Sequence, residues 1–443
     1  MGGDVTMSLT RRQLLVAAGG AAAAHVTIPA VLRTGTAFGV GADPATARRN
    51  RLVVLFLTGG NDGLNTVAPT GDLPKNPRAS VYKRVRPFVA YAPNQLLHLD
   101  RPGDRDEKLG LNPKLKTVHR LYRDGRAAIV QGVDYPNHNY SHFESSDIWQ
   151  SGEPGTAPDS GWIGRHLDRA GIGDGELRGL GFGTQLPLML RGHTTMGVAI
   201  TGINATRFAD GFDPGPAARH AALRAYDRYP GSEPLRGDVG DTARQTVDMV
   251  TRMRRAKVGK DTPNPLANQL LTTRALLEQN LGVECVYLQQ DGYDTHFNQR
   301  ADQERLFTQL DQALEAFFYG TLGGKPLGVG ALSAPLAART MVMVVSEFGR
   351  RIGENGSGAD AGTDHGAAAP VFLLGPNGRG ATGKRLTAGL HGDHPPLGST
   401  AAPADNLRMT TDLRSVYQSV LTDWLADPDP LFKKFRPVGG LFH

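Results

Sequence analysis

The sequence predicts an α/β fold, a mostly parallel central sheet with helices on both faces, and three observations predict it. Apolar runs recur as continuous blocks, stretches of helical period separate them, and the chemically versatile polar residues gather just after the blocks. Strands buried on both faces read as continuous apolar runs, whereas half-exposed strands alternate.

The chain opens with Thr10-Arg11-Arg12-Gln13-Leu14-Leu15, an apolar stretch through Ala17, Ala18 and Ala21 to Ala24, and small residues up to Gly41. A basic start, a short apolar middle and a small-residue tail describe a cleavable signal. Gly19, Gly20, His25 and Pro29 interrupt it, so it makes a poor permanent helix in lipid. The paired arginines beside a mild apolar core favour the twin-arginine route. Residues 1–42 are therefore expected to be a twin-arginine signal peptide read by the twin-arginine translocase, with a periplasmic or extracellular destination. An uncleaved signal-anchor is the alternative. No other stretch approaches the roughly 20 apolar residues of a span, so no stable membrane span is expected.

Residues 43–443 are expected to form one domain. Five runs are predicted as buried parallel strands: Leu52 to Leu57, Ala127 to Val133, Val283 to Leu288, Met341 to Val345 and Val371 to Leu374. Leu115, Val118, His119, Leu121 and Tyr122 share one helical face, which Gly125 closes. Leu306, Leu310, Leu314, Phe317 and Phe318 repeat at helical spacing before Gly320, and a last helix runs from Leu413 to Trp424. Alternation of strands and helices argues a sheet covered on both faces. From about 170 to 280 the pattern loosens, with Pro- and Gly-rich stretches at Asp210 to Pro216 and Tyr229 to Gly240. That segment is expected to be an insertion over one edge of the sheet, a natural place for substrate contacts.

Removing residues 1–42, with Arg11, Arg12 and Arg33 against Asp4, lowers the formal charge from +6 to +4. The remaining basic residues are scattered, which suits anionic ligands and argues against nucleic acid. Cys285 is the single cysteine, so no intrachain disulfide forms. It reads as a buried apolar thiol.

Ligands of open α/β sheets bind outside the carboxyl ends of the strands. There the first strand is followed by Thr58-Gly59-Gly60-Asn61-Asp62, and the second by Asp134, His138 and Tyr140-Ser141-His142-Phe143-Glu144. The third is followed by Asp291-Gly292-Tyr293-Asp294-Thr295-His296, and the fourth by Ser346-Glu347-Phe348-Gly349-Arg350-Arg351. Thr363-Asp364-His365-Gly366 comes just before the fifth. Carboxylates with imidazoles suit Zn²⁺ or Mn²⁺, and Mg²⁺ or Ca²⁺ where oxygens dominate. Each residue also has a plainer reading. Asn61 and Asp62 fit a tight turn, Glu347 pairs with Arg350 or Arg351, and His365 serves a turn. Ser141 with Glu144 is a capping box, although a hydroxyl at a helix start is also where a nucleophile meets an anion.

The motifs Thr-Gly-Gly-Asn-Asp-Gly-Leu-Asn-Thr (58–66), Ser-His-Phe-Glu-x-x-Asp-Ile-Trp (141–149), Gly-Trp-Ile-Gly-Arg (161–165), Gly-Tyr-Asp-Thr-His (292–296), Ser-Glu-Phe-Gly-Arg (346–350), Thr-Asp-His-Gly (363–366) and Thr-Asp-Leu-Arg-Ser-Val-Tyr (411–417) resemble the bacterial family called domain of unknown function 1501. That resemblance implies twin-arginine export and the alkaline phosphatase-like superfamily of phosphatases, sulfatases and phosphoglycerate mutases. It implies Asp62, Asp294, His296 and His365 as metal ligands, with Ser141 as nucleophile. Asn61, His142 and Asp364 are possible additions. Two departures matter: the Asp294/His296 spacing is shorter than the family's, and Ser346-Glu347 stands where Asp-His is expected. Glu347 then becomes the replacement ligand. One metal, an oxygen-rich Mg²⁺- or Ca²⁺-like site and a degenerate site all stay open.

The expected function is an exported, metal-dependent hydrolase of a small anionic phosphate or sulfate ester, with Arg350 stabilising developing charge. A non-catalytic anion-binding protein and a structural envelope protein are the rivals.

Overall fold

The computed structural model describes residues 49–443 except 75, 156, 171–176, 195–196, 202–251, 254 and 381. The expected signal (1–42) and the two Pro- and Gly-rich stretches lie outside the described residues. Among those described, no helix is long and apolar enough to cross a membrane.

The centre is a nine-stranded sheet. Its strands are β1 (Arg51–Thr58), β2 (Ala127–Asp134), β3 (Gly179–Phe182), β4 (Val198–Ile200), β5 (Cys285–Asp291), β6 (Thr340–Ser346), β7 (Ala369–Leu374), β8 (Gly389–His391) and β9 (Thr411–Asp412). Spatially the order is β8-β2-β7-β6-β1-β5-β3-β4, with β9 also on β2. Six helices matter below: α1 (Lys116–Arg123), α2 (His142–Ser151), α3 (Trp162–Arg169), α4 (Pro265–Glu278), α5 (Gln299–Tyr319) and α6 (Leu413–Ser419).

β1 shows why its run is unbroken. Val53, Leu55 and Leu57 pack with apolar residues of α1, α4 and α5 on one face. Leu52, Val54 and Phe56 pack with those of α2, α3 and α6 on the other. Successive side chains of a strand point to opposite faces, so helices on both sides demand apolar residues at every position. α5 ends where Gly320 turns left-handed at φ +67°, which closes the helix without a Cβ penalty.

Two expectations about the sheet change. β7 is antiparallel to both β6 and β2, while the other central pairings are parallel. Strand direction leaves no mark on an apolar run, so the sequence could not show the reversal. The reversal has a geometric result: the residues before β7, not those after it, lie at the edge where the parallel strands end. The described parts of 170–280 also supply β3 and β4, so they extend the sheet there.

A buried charge network ties down the opposite edge, just before β5. His166 of α3 places Nδ1 2.6 Å from Asp427 Oδ2 and Nε2 3.2 Å from Glu284 Oε1. Arg178 also pairs with Glu284, and Arg169 with Asp427. Burial disfavours the imidazolium, yet the two carboxylates outweigh it and raise the His166 pKa above 6.5. Burial likewise opposes both carboxylates, but His166 with Arg178 holds Glu284 at about 2, and His166 with Arg169 holds Asp427 at about 2. The imidazolium contribution is therefore complete below the unfolded pKa of about 6.5 and is lost as pH rises through the raised folded value. The carboxylate contribution is complete above about pH 4–5 and is lost as pH falls towards 2. His166→Ala should cost about 3–5 kcal/mol, the usual result of orphaning buried charges. Urea unfolding of wild type between pH 6 and 9 should show declining stability, and the variant should lack that slope.

Candidate metal centre

The carboxyl edge of the sheet gathers side chains from three connections. His142 opens α2 after β2, Asp294 and His296 follow β5, Glu347 follows β6, and His365 precedes β7. Each loop leaves the same edge, so residues far apart in sequence meet.

Asp294 is the meeting point. Its Oδ1 lies 3.1 Å from His296 Nε2, 3.1 Å from His365 Nε2 and 3.6 Å from His142 Nε2. His142 and His365 bring their Nε2 atoms to 3.0 Å. Ligand atoms from His142, Asp294 and His365 all fall within 4.8 Å of one another.

The far nitrogen of every ring is tied to an acceptor. His142 Nδ1 donates to Glu347 Oε1, His296 Nδ1 to Asp364 Oδ1 and His365 Nδ1 to the Tyr140 carbonyl, each at 2.9 Å. A carbonyl or carboxylate accepts only from a protonated nitrogen, so the neutral tautomers leave all three Nε2 atoms bare. The Nε2 lone pairs of His142 and His365 and the Asp294 oxygen then face one another at 3.0–3.6 Å, with His296 Nε2 3.1 Å from the same oxygen, which repels unless a cation lies between them. Tetrahedral zinc with Zn–N near 2.0–2.1 Å separates its ligand atoms by roughly 3.3 Å, close to the spacings here. Partners on the far ring nitrogen are the usual outer shell of a metal-binding histidine. The residues fit a metal.

Electrostatics agree. Burial opposes the Asp294 charge, but the hydrogen bond and charge of Arg350 outweigh it and hold the pKa at about 2. Burial first, then the Arg350 charge, pushes the His365 pKa down, away from the charged ring.

Other expected residues are nearby in different roles. Glu347 is fully buried and stands behind His142, also accepting from the Gly59 N–H at 2.6 Å. Asp364 stands behind His296. Asp62 is turned away: it caps the short helix Gly63–Thr66 through the Leu64 N–H at 3.1 Å, and pairs with buried Arg86 at 2.5 Å and with Gln299. Asn61 is buried and bonds to Thr66 and Gln303. No sequence pattern announces Arg86, which is why Asp62 reads as a ligand.

Arg350 is not exposed to a substrate. Its guanidinium donates to the carbonyls of Gly60 (2.7 Å), Thr363 (2.9 Å), Tyr293 (3.0 Å) and Gly59, and to Asp294 Oδ1 (2.8 Å). It positions Asp294 and stitches three loops together. Ser141 caps α2, its hydroxyl accepting from the Glu144 N–H at 3.5 Å.

His142 is the residue that sequence undervalues, because it sits between Ser141 and Glu144, which read as a capping box, and follows no apolar strand directly. Only the Ser141 half of that box forms, since the Ser141 N–H donates to Asn139 Oδ1 at 2.9 Å and Glu144 accepts from the Asn139 amide instead. The loop before it is held by His138, which bonds to Asp134 and stacks on Tyr140 at 5.4 Å. Tyr140 is left-handed at φ 59°, and its carbonyl is the one that accepts the hydrogen bond from His365 Nδ1.

Gly59 shows how tight the centre is. At φ +116°, a Cβ there meets the Asp294 backbone nitrogen at 2.3 Å. Gly59→Ala should push the Asp294 loop outward, costing about 1–3 kcal/mol in backbone strain alone and lowering metal occupancy. Calorimetry and metal analysis of the purified variant check both.

Beside the histidines opens a cleft of about 560 Å³, lined by Tyr140, His296, Arg351, Glu354, Asp364 and His365 among others.

Comparison with other proteins gives a family and little more. No curated protein matches the sequence. Among solved structures, the PH0037 protein from Pyrococcus horikoshii aligns over 76% of this chain and 88% of its own at 10% identity. Its TM-score is 0.24, too low to carry an argument. The model of the family described as protein of unknown function DUF1501 matches residues 49–402, and the chain belongs to that family.

Proposed function

We propose that this protein is an exported hydrolase of small anionic esters of phosphate or sulfate, dependent on one divalent metal held by His142, His296, His365 and Asp294. The observation that carries the reading is the convergence of three Nε2 atoms on Asp294 while every Nδ1 is tied to an acceptor. Imidazole-rich donors suit Zn²⁺ or another transition metal, and Mg²⁺ and Ca²⁺ prefer oxygens. Such an ion supplies Lewis acidity and binds an ester oxygen. The chain itself orients the rings through Glu347, Asp364 and Tyr140, and α2 adds a positive helix end for an anion. The alkaline phosphatase-like arrangement implied by the sequence resemblance belongs to this reading. So does export, which rests on Arg11-Arg12.

One observation favours the anion-binding alternative: the Ser141 hydroxyl serves the helix cap. A nucleophilic Ser141 forms a covalent intermediate, and Ser141→Ala then abolishes turnover. A capping Ser141 costs only about 0.5–2 kcal/mol on the same substitution and leaves activity intact in the folded fraction. The test is turnover of 4-nitrophenyl phosphate and sulfate by zinc- or manganese-loaded wild type and Ser141→Ala, well below the melting temperature. No turnover of either ester by loaded wild type rejects the hydrolase and leaves the binder.

A further inference from the structure

Arg350 and Arg351 are neighbours with different work. Arg350 is buried and commits its guanidinium to Asp294 and to main-chain carbonyls, whereas Arg351 is partly exposed and lines the cleft beside His296 and His365. The Arg351 main chain is fixed from both sides. Its N–H donates to the Asp364 carbonyl at 3.0 Å, and its carbonyl accepts from buried Arg86 at 2.7 Å. The side chain donates Nη1 to the Ala404 carbonyl and holds its guanidinium 5.9 Å from the Tyr140 ring centroid. Ala404 and Tyr140 both line the cleft, so the guanidinium lies at its wall.

The carboxylates of the same lining are already engaged. Glu354 accepts from the N–H groups of Phe88 and Val89 at 2.8–3.1 Å. Asp364 Oδ1 accepts from His296 Nδ1 at 2.9 Å and from Asn355 Nδ2 at 2.7 Å. Among the described residues no carboxylate pairs with Arg351, and the edge formed by its Nε and Nη2 has no acceptor. Two parallel N–H groups on one guanidinium edge match the two oxygens of a carboxylate or phosphate. Nor does the Arg351 side chain bond to any of the four residues of the metal centre, so it is a second positive point in the cleft, apart from the ion. At about 560 Å³ the cleft has the room of a small-molecule site, not of a single anionic head group.

We infer that the cleft takes esters carrying a second anionic group, with the ester head at the histidine cluster and the second anion on the Nε/Nη2 edge of Arg351. This rests on the anion-binding part of the proposed function and names its substrate class. Arg351 is then the residue that selects the ligand, while Arg350 holds the loops.

The test is calorimetric titration of the zinc-loaded full chain with two matched pairs of probes, in wild type, Arg351→Gln and Arg351→Lys. Ethyl phosphate is compared with 3-phosphonooxypropanoate, and 4-methylphenyl phosphate with 4-carboxyphenyl phosphate, so that the second anion is offered at two spans. In wild type the added carboxylate should raise affinity by about tenfold or more in at least one pair, as a charge-assisted hydrogen-bonded contact does. Arg351→Gln should bring that ratio close to one, and Arg351→Lys should keep part of it, because it retains the charge and loses the two-pronged edge. Zinc content should match wild type in both variants. A ratio near one for both pairs in wild type, or an unchanged ratio in Arg351→Gln, overturns the inference and leaves the metal-bound anion standing. Binding of none of the four probes by zinc-loaded wild type overturns both.

Discussion

Arg350→Lys is expected to give a protein that is largely unfolded at room temperature, or that melts far below wild type. Arg350 is completely buried and donates to four main-chain carbonyls and to Asp294. Lysine keeps the charge but offers three donors at a single point, and cannot reach acceptors spread over three loops. Each buried carbonyl left without a donor costs about 1–3 kcal/mol, and Arg350 serves four of them. The sum rivals the whole stability of an ordinary domain, about 5–15 kcal/mol. Soluble yield and urea unfolding read the effect. A variant with the wild-type transition would show that the loops hold without the guanidinium, and that Arg350 is available for charge stabilisation as first expected from sequence.

His365→Ala and His142→Ala are each expected to abolish tight metal binding while the metal-free protein stays folded. Both rings are only partly buried, with side chains 25% and 29% exposed, so their loss opens little cavity. Metal analysis should fall from about one equivalent to near zero in these variants, if four donors share one ion. The stabilisation that wild type gains from added Zn²⁺, about 4 kcal/mol at a thousandfold excess over Kd, should vanish with it. Glu347→Gln gives the graded control. Its amide oxygen can still accept from His142, so affinity should drop by about 10–100-fold, as for other outer-shell changes. Equal metal content and equal zinc-induced shifts in all four proteins would remove the centre.

Most of the sheet was legible because burial on both faces leaves a continuous apolar signature, as in Leu52 to Leu57. Two features were not. The reversal of β7 changes its hydrogen-bond partners and not its composition, and β3, β4, β8 and β9 are too short to stand out. At the centre, Asp294, His296 and His365 could be found because they flank strong apolar runs. Asp62 looked equivalent, yet its carboxylate is claimed by Arg86, a partner set by packing of the helix Arg78–Val85. Glu347 was expected at this edge and lies there, bonded to His142 and the Gly59 N–H, and nothing in sequence distinguishes a carboxylate that faces a ligand from one that faces a histidine.

The four proposed donor residues come from connections that only the assembled sheet brings together, from His142 to His365. A chain whose metal donors are contiguous can be loaded while it is being made. Here the local pair Asp294 and His296 supplies two atoms, and the others arrive only when β2, β5, β6 and β7 are paired. Contacts this distant in sequence form late and slowly, so on the proposed reading metal capture follows folding, and nascent or fragmentary chains should offer no high-affinity site. The order in time has a practical side. Refolding in the presence of zinc should show metal uptake lagging or matching tertiary structure and never preceding it, and the compartment where the sheet closes decides which ion the protein meets first.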